Sequence, residues 1–300
     1  MLEIGCSSAR SPFTGTQTTS VWGRIDGRSI YQCPNTGAVF FDREEISEHD
    51  YQDYGAYPYL EEFDEERINW EVRIRRPKYR KQLELMDEYA PGKTLLDVGA
   101  GPGYLCRVAE KEGWAARGVE IAQDAVCFGE EELGVHYVDI EDVEDESIDA
   151  ITCHHVLEHI PQPMEFLETL RSKLKERGLL VLHVPHQRPL TFLLRDWIGK
   201  HLLTGDHDTF CTLYGDIHIS GFTKRSLRRV LEEAAFGAHF TLTTGMWTKY
   251  YDPFFAKNYL RDRKYVAMAR KFVRHVAERM GEPFGRGDWV VGYFYKQNDP

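Results

Sequence analysis

The stretch Thr94-Leu-Leu-Asp-Val-Gly-Ala-Gly-Pro-Gly-Tyr-Leu105 governs how the rest of the chain reads. Leu95, Leu96 and Val98 form a short apolar run, with Pro91-Gly92 before it and glycines after it. A strand buried on both faces of a parallel sheet has this pattern. Gly99, Gly101 and Gly103 let the backbone turn sharply and approach a ligand with no Cβ in the way. Helical spacing resumes from Leu105 to Lys111. The unit is therefore strand, glycine turn, helix, and the helix N-terminus offers unpaired N–H groups and a partial positive charge to the turn. A dinucleotide fingerprint needs G-x-G-x-x-G/A. Here Gly99 and Gly101 fit, Tyr104 takes the third place, and Gly103 comes one residue early. Asp97 stands two residues before the first glycine.

Further units follow in order. Ala115–Ile121 reads as a second strand ending at Glu120, 17 residues beyond Gly103. An acid there has the two acceptor oxygens that a ribose's two hydroxyls require, a role NAD enzymes use as well. Val135–Ile140 reads as a third strand carrying Asp139, and Ile148–Cys153 as a fourth that runs into His154-His155-Val-Leu-Glu-His159. Taken together, residues 94–185 resemble the nucleotide-binding half of a class I S-adenosylmethionine-dependent methyltransferase. The motifs that carry the resemblance are Leu-Asp-Val-Gly-Ala-Gly-Pro-Gly (96–103), Gly-Val-Glu-Ile (118–121), Val-Asp-Ile (138–140) and the run Asp149 to His159. The Val-Leu-Glu-His-Ile-Pro ending is similar to the branch that holds ubiquinone-pathway O-methyltransferases and many small-molecule and sugar methyltransferases.

That resemblance implies an α/β, Rossmann-like fold: a seven-stranded, mostly parallel sheet with one antiparallel strand and helices on both faces. It implies S-adenosylmethionine as cofactor, S-adenosylhomocysteine as product, and a small-molecule acceptor methylated at oxygen, nitrogen or carbon. The cofactor contacts it implies are Asp97, Gly99, Ala100, Gly101, Gly103 and Tyr104 from the turn, with Glu120 and Ile121 at the ribose. Asp139 and Ile140 fall at the adenine, and His154 falls beside the methyl-transfer site. Helices before the turn lid the cofactor in this family, which brings in Arg76 and Tyr79.

Oxygen and carbon acceptors need a proton removed, which is histidine work near neutral pH. His186 follows the fifth strand, Leu179–Val184, at its ligand edge and ranks first with His155; His154 and His218 come next. His155 and His159 are four apart, but Val156 stands where an H-E-x-x-H zinc motif needs its Glu, so no metal is expected. Two other classes stay open. One is an NAD-dependent oxidoreductase, opposed by Tyr104 and by the Val-Leu-Glu-His run. The other is a non-catalytic member of the fold that binds cofactor and transfers nothing.

Composition bounds the picture. A net charge of −11 argues against nucleic-acid binding, which needs clustered Lys and Arg. The start, Met-Leu-Glu-Ile-Gly-Cys, lacks a basic region followed by an apolar run, and no uncharged stretch approaches membrane-spanning length. Six scattered cysteines fit reduced thiols in a cytoplasmic protein. Nothing in the sequence fixes the oligomeric state.

Three regions are expected. Residues 1–45 hold an irregular or mobile arm (1–20) and a small β-unit, with Asp26-Gly27 as a hairpin turn between Val21–Ile25 and Ser29–Gln32. In the resembling branch this segment is a zinc ribbon of two Cys-x-x-Cys knuckles. Cys6 and Cys33 match the first cysteine of each knuckle, while Ala9 and Thr36 replace the second, so the remnant is expected to hold no metal. Residues 46–90 are an acidic, tyrosine-rich linker and lid helices, with Pro77 expected to end or kink the helix over 65–89. Residues 91–300 form the main domain, with insertions at 187–221 and 252–285. Its later elements are a helix over Pro163–Arg177 capped by Gly178, a helix over 224–235 capped by Thr223, and strands Ala238–Trp247 and Asp288–Lys296.

Overall fold

The computed structural model describes residues 8–25, 28–42, 60, 63–190, 193, 218–244 and 282–298. At the N-terminus β1 (Ala9–Arg10) pairs with β2 (Gln17–Thr18). β3 (Val21–Ile25), β4 (Arg28–Gln32) and β5 (Val39–Phe41) form an antiparallel meander. Ile25 lies opposite Arg28, the register a two-residue turn at 26–27 requires, although those two residues lie outside the described ones. The expected irregular arm is corrected over 8–20, where the chain is folded onto the rest. The cause is Phe13, 2% exposed, whose ring meets Phe40 at 6.2 Å and Phe222 at 5.8 Å, both edge-on. Ala9 and Thr36, which stand in for the missing knuckle cysteines, are buried, and the Thr36 N–H donates to Cys33 Sγ at 3.5 Å. Cys6 lies outside the described residues.

The central sheet is built from β6 (Thr94–Val98), β7 (Ala115–Val119), β8 (Ile148–His154), β9 (Leu174–Pro185), β11 (Phe236–Thr244) and β12 (Trp289–Lys296). The short β10 (Ser220–Gly221) lies elsewhere: it pairs with β5 and joins the N-terminal meander. Strand order in the main sheet is β11-β12-β9-β8-β6-β7, and β12 runs antiparallel to both neighbours while the remaining pairs are parallel. Alternation divides the core. Leu96, Val98, Ile151, Leu180 and Leu182 point to one face; Leu95, Ala150, Leu179 and Val181 point to the other. The second face is covered by α1 (Glu65–Tyr89) and α2 (Tyr104–Lys111), through Leu83, Met86, Leu105 and Val108. After the short α3 (Gln123–Phe128), α4 (Pro163–Lys173) and α5 (Lys224–Glu233) cover the first face, together with Phe13 and Phe40. Thr223 caps α5 in a reciprocal box with Ser226.

Three expectations are corrected here. Val135–Ile140 is not a strand: a single parallel bridge, Gly118 to Tyr137, precedes a one-turn 3-10 helix at Ile140–Asp142, so among the described residues the sheet has six strands and not seven. The Tyr137 ring lies against Gly103, Gly118 and Gly129, and filling that space turns the backbone away after one bridge. The helix from Pro163 ends at Lys173, and Gly178 lies within β9 and caps no helix. A Cβ at Gly178 would meet the Lys175 carbonyl at 2.8 Å, and Arg177 has φ +58°, so a bulge here lets the helix pass directly into the strand. Pro77 interrupts nothing in α1, which runs unbroken for 25 residues. Pro77 and the preceding turn's Arg73 are both exposed, so the carbonyl that loses its N–H partner faces water.

Candidate active site

The glycine turn folds as its sequence dictates. Gly99, Gly101 and Gly103 have φ of +72°, +53° and +79°, and Gly103 is the residue immediately before α2. The N–H groups of Gly99 and Ala100 donate to the Val119 carbonyl at 2.8 and 3.1 Å, which clamps the turn to the end of β7. A Cβ at Gly99 would lie 2.2 Å from Val156 Cγ2, so the turn and the His154–His159 run approach each other as only glycine allows. Gly99→Ala combines a left-handed backbone with that overlap, and it is expected to cost about 3 kcal/mol in urea unfolding. An unchanged midpoint would show that Val156 simply moves aside.

Glu120 closes on this turn. Its Oε2 accepts from the Gly101 N–H at 2.7 Å, and its Oε1 accepts from Ile121 and Ala122 N–H at 2.8 and 3.0 Å. Next to it Ile121 is 83% exposed, an apolar side chain left standing at the rim. The segment with exposed Asp139 and half-buried Ile140 is tied alongside by the Val138 N–H donating to the Gly118 carbonyl at 2.9 Å. Tyr137, which sequence reasoning passed over, braces the turn from below by donating its O–H to the Gly101 carbonyl at 2.8 Å. Asp97 is buried under the turn and accepts from Thr152 Oγ1 at 2.6 Å. Burial lifts its carboxyl to about 7; the Thr152 hydroxyl opposes that rise and the nearby Glu120 charge adds to it. Tyr104 is 8% exposed, and Arg75 stacks on its ring at 4.6 Å.

The candidate bases separate. His186 is buried; its Nδ1 accepts from the Arg188 N–H at 3.0 Å and Gly285 backbone holds it as well. Burial, then the Arg286 charge, push it down to about 4. Both partners are backbone, and they hold the ring in place. His218 sits with Glu158 and His159, and one donor atom from each lies within 4.8 Å of the others, a possible metal-donor group that the sequence did not lead us to expect. Glu158 is 1% exposed and lies 3.4 Å from His155 Nδ1 and 3.8 Å from His159 Nε2. His155 has φ +58° and an exposed ring 4.4 Å from that of Trp289. Gln82 Nε2 lies 3.0 Å from His154 Nε2; an amide N–H only donates, so Nε2 accepts and the imidazole proton is on Nδ1.

The cluster contains residues that sequence reasoning missed. His183 pairs in register with His154, and its ring lies 5.5 Å from His154, 4.7 Å from His155 and 5.3 Å from Trp289. Burial first, then neighbouring charges that include Lys78, hold both His154 and His183 well below the ordinary imidazole value. The available signal was one histidine interrupting the otherwise apolar run Leu179–Val184. Most of the insertion at 187–221 lies outside the described residues, as does 252–281 of the second.

An open parallel sheet carries ligands at the carboxyl ends of its strands, and here those ends bear the glycine turn, Glu120 and the histidines. This defines an α/β domain that binds a nucleotide cofactor. The family described as "Methyltransferase domain" matches residues 72–238. The chain belongs to that family, as a class I S-adenosylmethionine-dependent methyltransferase. It is 29% identical over 135 residues to the ubiquinone biosynthesis O-methyltransferase of Glaesserella parasuis serovar 5, matching 39% of this chain and 57% of the relative. To the enzyme of that name from Xanthomonas campestris pv. campestris (strain B100) it is 31% identical over 131 residues, 39% of this chain and 55% of the relative. The match thus spans little more than half the length of these curated relatives. A SAM-dependent methyltransferase from Archaeoglobus fulgidus superposes with TM-score 0.49 at 16% identity, covering 75% of this chain and 94% of that one. Among the described residues no helix is long and apolar enough to cross a membrane.

Proposed function

We propose that this chain transfers the methyl group of S-adenosylmethionine to an oxygen, nitrogen or carbon atom of a small-molecule acceptor. The observation that carries the reading is the meeting of Glu120 with the Gly99–Gly103 turn, directly beside the histidines at the ends of β8 and β9. The residues fit the cofactor. Glu120 Oε2 keeps an acceptor lone pair toward the rim for ribose hydroxyls, and the exposed Ile121 and Asp139 flank it with an apolar surface and an acid for adenine. Bound there, the cofactor supplies an already activated sulfonium methyl group.

The protein's share of the chemistry is alignment and exclusion of water. Gly99 and Gly101 leave room for close approach of the backbone, Tyr137 fixes the turn, Asp97 ties β6 to β8 through Thr152, and His154 stands at the end of β8 with its tautomer set by Gln82. The depressed basicity of His154 keeps the ring neutral near pH 7, able to orient an acceptor hydroxyl by hydrogen bonding. Titration with S-adenosylhomocysteine and, separately, NAD in a calorimeter tests the reading. Micromolar binding of the first alone is expected. Binding of NAD alone would replace the methyltransferase reading with an oxidoreductase.

A further inference from the structure

We propose that Lys78, Gln82 and His183 build the acceptor side of this site, and that they select an acceptor bearing a hydroxyl together with a negatively charged group, a carboxylate or a phosphate. The inference rests on the methyltransferase reading and narrows its substrate class.

Three observations converge on it. First, α1 presents one polar face to the ends of β8 and β9. Gln82 reaches His154 at 3.0 Å, and Lys78 precedes it by one helical turn on the same face. The Lys78 charge adds to what lowers both His154 and His183.

Second, Lys78 has no counter-ion among the described residues. On the same helix Arg67 and Arg75 pair with Glu71, and Arg76 and Arg80 pair with Glu112 at 3.3 and 3.2 Å. Lys78 is half-buried and makes no ion pair with any described residue; its nearest partner is the Tyr79 ring at 5.8 Å. A partly desolvated cation without an anion costs free energy that an anionic ligand would recover.

Third, His183 Nε2 is buried and has no hydrogen-bond partner among the described residues, although the residue is only 7% exposed. A buried polar atom of this kind costs about 1–3 kcal/mol unless something satisfies it. An acceptor hydroxyl placed between His183 and His154 would do so. The imidazoles then meet the neutral, reacting end of the acceptor and Lys78 meets its charged end.

Calorimetry on the protein saturated with S-adenosylhomocysteine tests this with two matched pairs. These are glucose 6-phosphate against glucose, and 4-hydroxyphenylacetate against 4-hydroxyphenylacetamide. The charged member of at least one pair is expected to bind roughly tenfold more tightly. The pair that shows it tells phosphate from carboxylate. Lys78→Met should erase the preference and Lys78→Arg should keep it, with S-adenosylhomocysteine affinity within about twofold of wild type in both. His183→Phe should weaken both members of the pair alike. Equal binding within both pairs, no binding by any of the four, or a preference that survives Lys78→Met would overturn the proposal. So would roughly tenfold weaker S-adenosylhomocysteine binding in Lys78→Met, which would assign the cation to the cofactor's own carboxylate. If wild type does not bind S-adenosylhomocysteine, the methyltransferase reading itself fails, an outcome separate from all of these.

Discussion

Glu120→Ala is expected to weaken S-adenosylhomocysteine binding by about a hundredfold or more. The acid has two jobs that alanine cannot do. It would take a ribose hydroxyl on its remaining Oε2 lone pair, a hydrogen bond to a charged group of about 1.5–3 kcal/mol. It also gathers the N–H groups of Gly101, Ile121 and Ala122, so its loss frees the turn as well as the ligand. Glu120→Gln keeps one acceptor oxygen and replaces the other with a donor, and about a tenfold loss is the expected intermediate. Isothermal titration of both variants decides it. A loss below about threefold in the alanine variant would mean that the ribose is held elsewhere.

The second large effect concerns Asp97 and pH. An aspartate at 3.8 in the unfolded chain and about 7 in the folded one stays protonated in the folded state over the intervening range. There the folded chain holds a proton that the unfolded chain has released, so this group's contribution makes stability fall as pH rises from about 4 to about 7. Above 7 the whole penalty of a buried charge is present, on the order of 4 kcal/mol. Asp97→Asn keeps an oxygen for Thr152 Oγ1 and carries no charge. Its stability relative to wild type is therefore expected to rise by a few kcal/mol between pH 5 and pH 8. Urea unfolding at both pH values measures this, and parallel pH profiles for the two proteins would refute it. The same variant tells whether the turn needs the charge for cofactor binding or only the shape.

The parts legible in the sequence are those whose causes are local. Gly99, Gly101 and Gly103 signal a left-handed turn by themselves, and Glu120 is marked by ending an apolar strand. Thr223 is followed three residues later by a reciprocating Ser226, which sets the start of α5 without help from the rest of the chain. What escaped depends on distant partners. The His186 ring is held by backbone at Gly285, about a hundred residues later in the chain. Val135–Ile140 has a strand's composition, and only the space left by Gly103, Gly118 and Gly129 reveals why Tyr137 turns it aside. Arg177-Gly178 reads as a helix cap because the ladder that extends β9 back to Leu174 is formed with Ile148, far upstream. His183, Lys78 and Gln82 are spread over a strand and a helix and share no motif, so only the fold brings them to one place.

The pairing of β10 with β5 has a consequence for how the chain is made. Ser220 and Gly221 complete the meander begun at Val21, so the apolar strand Val39–Phe41 leaves the ribosome roughly 180 residues before its partner does. At about 5–20 residues per second that is an interval on the order of ten to forty seconds. Throughout it, the apolar β5 edge lacks the strand that pairs with it in the finished fold. The meander begun at Val21 is thus completed only after the strands of the main sheet up to β9 have been made.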